Sequence, residues 1–477
     1  MAQLHKNIGF AGLGQFIYTL LAFALIPFAS RYLGEEGFGI YSLATAIGFF
    51  VSLFTDLGMS TLLTRESSRR KILAEPLFAC FLGIKSALVI VTLALLLVYL
   101  QIGGIEKVAF HSIIIFSLSS IISSYAQNAF SVFRAFEKIQ YETLGVAVDK
   151  LFSVFIGIIF LVMGYDIRIF ISSFLIASII KLLLSFILLE KKFIRIRYSF
   201  KFKRAVPLLY ASIPFGLSVL LAVCYNYLAI LMLSVMTNFK DVGWYSGSYK
   251  FLNLTTLIPQ VLSAAFLPQL SVCFNNYKKL TELFLKGCQY LFIFSIPMIP
   301  VILLMARWIV LTFLGSKFEG SIISLRILVF AAFAQMLNSF FVSLYAAINK
   351  QKKILYFQIV GLLFNLTLNV ILIPIVSYRG AAIATIVTEW SILLLITIWA
   401  ARNIFQATPE WKALIYYVLR LVLATTILSI VIVVMQYAQV NNVLIVGCGG
   451  MTYVLCLQML KCVDFLALSR RIFEFIR

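Results

Sequence analysis

Eight ionisable residues stand where a charge is costly. Asp56, Lys85, Asp149, Lys150, Lys181, Lys250, Glu389 and Arg420 each fall inside an apolar stretch long enough to cross a bilayer. A charge at the centre of a spanning helix costs on the order of 2.5–3.5 kcal/mol even on the lenient insertion scale. Such residues therefore face a water-filled cavity or a partner. A Lys or Arg within a turn or two of the interface escapes by lifting its head into water. Arg420, about seven residues into its stretch, suits that reading or a headgroup contact equally well. Lys85, Lys150 and Lys181 differ, because Asp56 and Asp149 lie at comparable depth in the same half of the chain. The spacing predicts one shared, inward-facing chamber. Asp56, Asp149 and Glu389 are too few to neutralise all the interior cations, so the chamber is expected to carry unpaired positive charge. That suits an anionic substrate and opposes a cationic one.

Neutral polar stripes accompany the charges. Tyr41, Thr45, Ser52 and Thr55 or Asp56 recur on one helical face, as do Ser117, Ser120, Ser124, Gln127 or Asn128, and Ser131. Ser246, Lys250, Asn253 and Gln260 form a third set, and Gln358, Asn365 and Asn369 a fourth. Spacings of three and four residues line one side of a helix. Each stripe reads either as a lumen wall or as helix–helix packing. The second and eighth helices, where charge joins the stripe, favour the lumen.

The elements that must position these groups are plain in the composition. Of 477 residues, 62% are hydrophobic and only 12% charged, with a mean hydropathy of +1.03. A spanning helix needs about 20 apolar residues, and the chain divides into about fourteen such stretches with short polar loops. They run near 8–30, 38–63, 77–100, 108–132, 143–164, 167–189, 206–236, 242–270, 283–305, 321–348, 354–376, 380–401, 413–436 and 442–462. The fold class expected is all-α, a polytopic membrane protein.

Alternate loops carry most of the Lys and Arg: Arg65 to Lys71, Arg134 and Lys138, Lys191 to Arg204, Lys278 and Lys279, Lys350 to Lys353, and Arg470 to Arg477. The opposite loops carry single cations such as Arg31, Lys107, Arg168, Lys240 and Arg379. Basic loops stay cytoplasmic, so both termini are expected inside. The net charge of +21 thereby has a topological cause, and nucleic-acid binding is not expected. The first apolar run is too long for a signal peptide and no small-residue cleavage site follows it, so it is expected to remain as the first helix.

Much covalent chemistry is excluded. The seven Cys form no C-x-x-C pair and the two His, His5 and His111, have no partner at ligand spacing, so neither a metal nor a disulfide frame is expected. No phosphate loop, G-x-S-x-G or H-E-x-x-H occurs. No enzyme activity and no cofactor are expected, and a transporter is the leading class.

The halves echo each other. Phe38-Gly39-Ile40-Tyr41-Ser42 opens the second helix, and Val242-Gly243-Trp244-Tyr245-Ser246 opens the eighth. Phe133 to Lys138 ends the fourth, and Leu344 to Lys350 ends the tenth. A shift of six helices preserves orientation, which implies two lobes about an axis along the membrane normal with the site between them. The expected division is 1–204, an N-terminal lobe with a cytoplasmic linker; 205–405, a C-terminal lobe; and 406–477, two further helices and a tail.

Arg31-Tyr32-Leu33-Gly34-Glu35-Glu36-Gly37-Phe38-Gly39-Ile40-Tyr41, then Asp56-Leu57-Gly58-Met59, Gly243-Trp244-Tyr245, Phe266 to Ser271, Asn365 to Asn369, Leu372-Ile373-Pro374 and Gly380 to Thr385 together resemble the polysaccharide transporter family. These are the Wzx-type O-antigen flippases, in the superfamily of MATE multidrug exporters and peptidoglycan lipid flippases. The resemblance spans essentially the whole chain, and the positions of Arg31 and Asp56 match the family pattern. It implies two six-helix lobes forming a V plus two C-terminal helices, in the bacterial cytoplasmic membrane. It also implies alternating-access transfer of an undecaprenyl-pyrophosphate-linked oligosaccharide, O-antigen or capsule repeat unit, to the periplasmic leaflet. Membrane lipids, and polymerase and chain-length proteins of the same pathway, are the partners it suggests. On that reading Arg31, Lys85, Asn128, Lys150, Lys181, Tyr225, Asn226, Lys250, Asn253, Asn365 and Asn369 contact the substrate. Asp56, Asp149 and Glu389 are candidates for ion coupling. The alternative is an ion-coupled small-molecule exporter of the MATE kind.

Overall fold

The computed structural model describes residues 2–198, 202–460 and 462. Lys201 and the tail cations Arg470, Arg471 and Arg477 lie outside them. The described residues contain α-helices, two short 3-10 turns and no strand. Among the described residues, thirteen helical segments are long and apolar enough to span a membrane. The helices are α1 (Ala2–Asp56), α2 (Met59–Arg69), α3 (Ala74–Ile102), α4 (Lys107–Ala135), α5 (Ile139–Val162), α6 (Ile167–Lys192), α7 (Phe202–Met236) and α8 (Phe239–Thr255). They continue with α9 (Leu257–Val272), α10 (Tyr277–Phe313), α11 (Glu319–Ala347), α12 (Gln351–Val376), α13 (Tyr378–Asn403), α14 (Glu410–Tyr437) and α15 (Asn442–Met459). The chain is a multi-pass, all-α membrane protein.

Two expected spans, 8–30 and 38–63, run on as α1 with one interruption. Gly34 sits at φ 70 and ψ −176, a backbone state that a Cβ would strain. It lets the chain turn between spans without a loop. The expected second helix then breaks at its far end. Leu57 and Gly58 both take positive φ, 42 and 82, separating α1 from α2. A Cβ on Gly58 would collide with the α7 backbone at Ser212 and Gly216, so sterics and conformation both demand glycine. The eighth span breaks comparably at Thr256, between α8 and α9. Pro259 follows three residues later. It lacks the N–H owed to Thr255 and its ring crowds that carbonyl.

The chain forms two compact units: residues 1–247 with 313–318, and residues 248–312 with 319–477. In the first, α1 packs against α4 and α5, and α6 against α4 and α5. Its core includes Met59, Leu62, Phe78, Phe81, Phe130, Phe133 and Leu189. The start of α8 also belongs to this unit. Gly39 and Gly243, the two echoed glycines, lie where α1 and α8 nearly touch: a Cβ on Gly39 would meet the α8 backbone at Phe239 and Gly243, and one on Gly243 the α1 backbone at Glu35. The Lys240 Nζ–Glu35 Oε1 pair, 3.7 Å apart, flanks that crossing. In the second unit, α13 packs on α11 and α12, and α9 on α11. The last two helices, α14 and α15, pack with α10 through Met305, Leu421, Leu428, Ile432, Ile445 and Leu457.

The second sequence echo has a structural counterpart. Glu137 after α4 and Asn349 after α11 both take positive φ, 59 and 58. Each turn closes with the same pair of bonds. Lys138 N donates to Phe133 O and Lys350 N to Tyr345 O, both at 2.8 Å, while Glu137 N donates to Arg134 O and Asn349 N to Ala346 O. This is the αL stop that satisfies a helix's last carbonyls, repeated at the same place in each half.

Candidate functional site

The helix break at Leu57–Gly58 exposes a charge. Asp56 is the last residue of α1, and its carboxylate takes over the opening of α2. Asp56 Oδ2 accepts from Ser60 N at 3.2 Å and Oδ1 from Ser60 Oγ at 2.6 Å. Beside it comes Lys85 from α3. Lys85 Nζ donates to Asp56 Oδ1 at 2.8 Å, to Asn128 Oδ1 at 2.8 Å and to Ser124 O at 2.7 Å, the last two on α4. An ammonium has three protons, so all three are used. Ser60 Oγ also approaches Asn128 Oδ1 at 3.3 Å, and Thr55 Oγ1 meets Ser124 Oγ at 3.3 Å. Four helices thus converge on one network. One donor is left over, since Asn128 Nδ2 is buried and has no partner.

A second pair lies on the neighbouring face of α4. Lys181 of α6 approaches Asp149 Oδ1 of α5 at 3.2 Å and donates to Ser123 Oγ. Ser123 and Ser124 are adjacent, so the two cations touch consecutive residues of one helix. Lys150 follows Asp149 on α5 and is half-buried.

These contacts correct the expectation of unpaired interior cations. Lys85 and Lys181 each hold a carboxylate. Burial is also unequal within each pair. The Lys85 side chain is 0% exposed against 19% for Asp56, and Lys181 8% against 20% for Asp149. The carboxylates are the accessible partners, and the ammonium groups sit behind them.

The other expected residues separate into distinct places. Arg31 lies on α1 just before Gly34, exposed, with Gly315 beside its stem, well along the helix from Asp56. Tyr225 is half-buried and Asn226 exposed on α7, where Asn226 Nδ2 donates to Ala222 O. Lys250 is half-buried and Asn253 exposed on α8. In the second unit Asn365 and Asn369 of α12 do associate: Asn369 Nδ2 donates to Asn365 Oδ1 at 2.8 Å, and Asn365 Nδ2 to Thr388 Oγ1 of α13 at 3.1 Å. Glu389 follows Thr388 and is buried, with its Oε2 accepting from Asn338 Nδ2 of α11 at 2.8 Å.

Ser60, Ser123 and Asn338 join these networks without having been expected there. Ser60 is four residues from Asp56, a spacing that would have placed it on the same face had the helix not been broken. Asn338 is an amide in a mostly apolar helix, three residues after Gln335, which is the same signal that singled out Asn365.

Comparison with known proteins follows the geometry. A family model described as "Polysaccharide biosynthesis protein" matches residues 4–274. The chain is 23% identical over 416 residues to a Shigella flexneri protein named "Putative O-antigen transporter", an alignment covering 82% of this chain and 95% of that one. Among solved structures, the lipid II flippase MurJ in an inward closed conformation superposes with a TM-score of 0.78 at 16% identity, over 95% of this chain and 98% of the other. An inward-facing multidrug resistance transporter of the MATE family gives 0.68 at 16% identity, over 81% and 94%. These two likenesses establish a shared fold. With more than half of the chain matched by the family model, the protein belongs to the polysaccharide biosynthesis protein family and is a multi-pass membrane protein of that family.

Proposed function

We propose that the protein moves a lipid-linked oligosaccharide, carried on an undecaprenyl pyrophosphate, from the cytoplasmic to the periplasmic leaflet by alternating access. The observation that carries this reading is a charged, hydrogen-bonded interior in a unit of a polysaccharide-family transporter. Buried ion pairs cost desolvation, and a route for a charged substrate gives them a use beyond packing. The transporter lies in the bacterial cytoplasmic membrane with both termini inside, as the Lys and Arg loops support. Two lobes, 1–204 and 205–405, with 406–477 appended, are the proposed moving parts.

The paired geometry refines how substrate anions are handled. Lys85 and Lys181 do not wait with bare charge; Asp56 and Asp149 hold them. A pyrophosphate approaching from the accessible side competes with the carboxylates for the same protons. Charge-assisted bonds of this kind contribute about 1.5–3 kcal/mol each, so exchange of one anion for another is close to balanced. Binding is then reversible, as transport needs. Lys150, Lys250 and Arg31 add positive charge along the proposed route, and Asn128, Tyr225, Asn226, Asn253, Asn365 and Asn369 supply neutral contacts for sugar hydroxyls. Asp56, Asp149 and Glu389 are the groups available for ion coupling. No catalytic step is involved.

The test is complementation. In a strain lacking its own O-antigen flippase, the gene should restore surface glycan, read by blot, and Lys181→Glu should abolish it at equal protein level. Restored drug efflux without restored glycan would establish the MATE-like alternative instead.

A further inference from the structure

Two cations meet on the face that the charge rule leaves poor in them. Arg31 lies on α1 and Lys317 in the short turn Ser316–Phe318, and two glycines with φ of 70 and 95, Gly34 and Gly315, stand between them. The approach is reciprocal. A Cβ on Gly34 would stand 3.5 Å from Lys317 Cδ and 3.6 Å from its Nζ, and a Cβ on Gly315 would stand 3.3 Å from Arg31 Cγ. All four residues belong to the first unit. The turn that carries Lys317 is pinned on both sides. Phe313 and Phe318 pack on Phe23 and Phe38 of α1, with ring centroids 5.6 Å apart in each case. Ser30 Oγ donates to Phe313 O at 3.4 Å, and Trp244 Nε1 of α8 donates to Lys317 O at 3.1 Å. The backbone of Lys317 is thereby fixed while its side chain stays exposed.

Like charges held together repel, and a scaffold that fixes them so calls for an anion. The acidic residues nearby in sequence are engaged elsewhere. Glu35 pairs with Lys240 at 3.7 Å and Glu319 with Arg307 at 3.5 Å, while Glu36 lines a separate pocket with Glu106 and Asp166. Beside Arg31 a cleft of about 330 Å³ runs past Pro27, Phe28 and Tyr32, and Phe28 and Tyr32 are 38% and 54% exposed. An anion seated here has apolar and aromatic surface next to it, which suits a headgroup borne on a lipid. We propose that Arg31 and Lys317 form an exit site for the diphosphate of the lipid-linked product, next to the α1–α8 crossing at Gly39 and Gly243 and on the face assigned to the periplasm. Arg offers a planar fork and Lys a point charge, and two cations match two adjacent phosphates. The identity of the ligand rests on the flippase reading, whereas the anion site rests on the geometry.

The test reads the outer face alone. Full-length Ser316→Cys protein is placed in phosphatidylcholine vesicles and labelled from outside with a membrane-impermeant maleimide, against the same vesicles without that cysteine. External pyrophosphate and farnesyl diphosphate should each slow the reaction saturably. Adding Lys317→Gln or Arg31→Gln should raise the concentration needed at least about tenfold, and Lys317→Arg should keep the protection because it keeps the cation. No slowing by either diphosphate, or slowing unchanged in Lys317→Gln, overturns the site. Equal slowing when phosphatidylglycerol replaces part of the phosphatidylcholine would make it a general phospholipid headgroup site and overturns the assignment to the product. No reaction of Ser316→Cys in intact cells overturns the face. Labelling involves no transport, so its failure leaves the flippase reading standing; protection by diphosphate alongside failed complementation would overturn the identity of the ligand.

Discussion

Removing the carboxylate of Asp56 should be worse than removing its partner's charge. Asp56 and Lys85 are 2.8 Å apart. Coulomb attraction at that distance is about 6 kcal/mol for an effective dielectric of about 20. Most of it offsets desolvation. In Asp56→Asn the Lys85 ammonium, with 0% exposure, keeps its burial cost and loses its counter-charge. The expected destabilisation is about 3–5 kcal/mol, the range for an orphaned buried ion. In Lys85→Met the remaining carboxylate is 19% exposed and still accepts two bonds from Ser60. Its loss should be smaller, about 1–3 kcal/mol. The double variant Asp56→Asn with Lys85→Met buries no net charge and should recover part of the stability lost in Asp56→Asn alone, so the coupling should exceed the cost of Lys85→Met. The assay is thermal unfolding of purified protein in detergent, followed by intrinsic fluorescence, alongside membrane expression level. An Asp56→Asn variant as stable as wild type, or a double variant no more stable than Asp56→Asn, would show that the pair is not what fixes α1, α2, α3 and α4 together. Transport adds a second axis. The double variant should fold yet fail to restore surface glycan, because it has neither the ammonium that binds the substrate anion nor the carboxylate that gives way to it in the proposed route.

Three further outcomes follow from single contacts. Gly39→Val and Gly243→Val each force a side chain into the backbone of the opposing helix, so each should open that crossing and raise labelling of a cysteine at Ser42 by a membrane-impermeant maleimide; unchanged labelling would mean the crossing is not a barrier. Arg134→Ala removes a two-pronged pair with Glu142, at 2.7 and 2.8 Å; both side chains are partly exposed, so a Tm loss corresponding to about 1 kcal/mol is expected, and more than about 3 kcal/mol would contradict that burial. Orientation is read by labelling intact cells: a cysteine at Arg195 should be protected and one at Lys240 reactive, and the reverse pattern would invert the topology.

Much of the fold is legible because a bilayer leaves few choices. Apolar runs of spanning length must be helices, since no water satisfies the backbone there. The end of α4 and the end of α11 were visible as matching sequences and became matching αL turns at Glu137 and Asn349. What the apolar pattern hides is interruption. Hydropathy runs unbroken through Leu57 and through Thr256, so both spans read as whole, and only the backbone shows that each is two helices. The signal lay in Gly58 and Pro259, whose meaning depends on what approaches them: the α7 backbone at Gly58, and the helix's own carbonyl at Pro259.

The site was half legible for a related reason. Depth in a helix is a one-dimensional quantity, and it groups Asp56, Lys85, Asp149, Lys150 and Lys181, all of which lie in the first unit. Pairing is three-dimensional. A count of interior carboxylates against interior Lys and Arg predicts leftover cations, yet pairs form by proximity: α1 meets α3 at Asp56–Lys85, and α5 meets α6 at Asp149–Lys181. The consequence is mechanistic. A chamber of bare lysines would hold a pyrophosphate tightly and release it slowly. In the proposed route, an ammonium that already has a carboxylate can hand the substrate on, because the carboxylate is there to reclaim the proton donors as the substrate leaves. The break at Leu57–Gly58 places Asp56 at a helix end, where a small backbone rotation moves the carboxylate relative to Lys85 without unwinding a span. The carboxylate assigned to substrate exchange in the proposed route and the backbone break at Leu57–Gly58 are thus neighbours in sequence, and Gly58 lies against the α7 backbone.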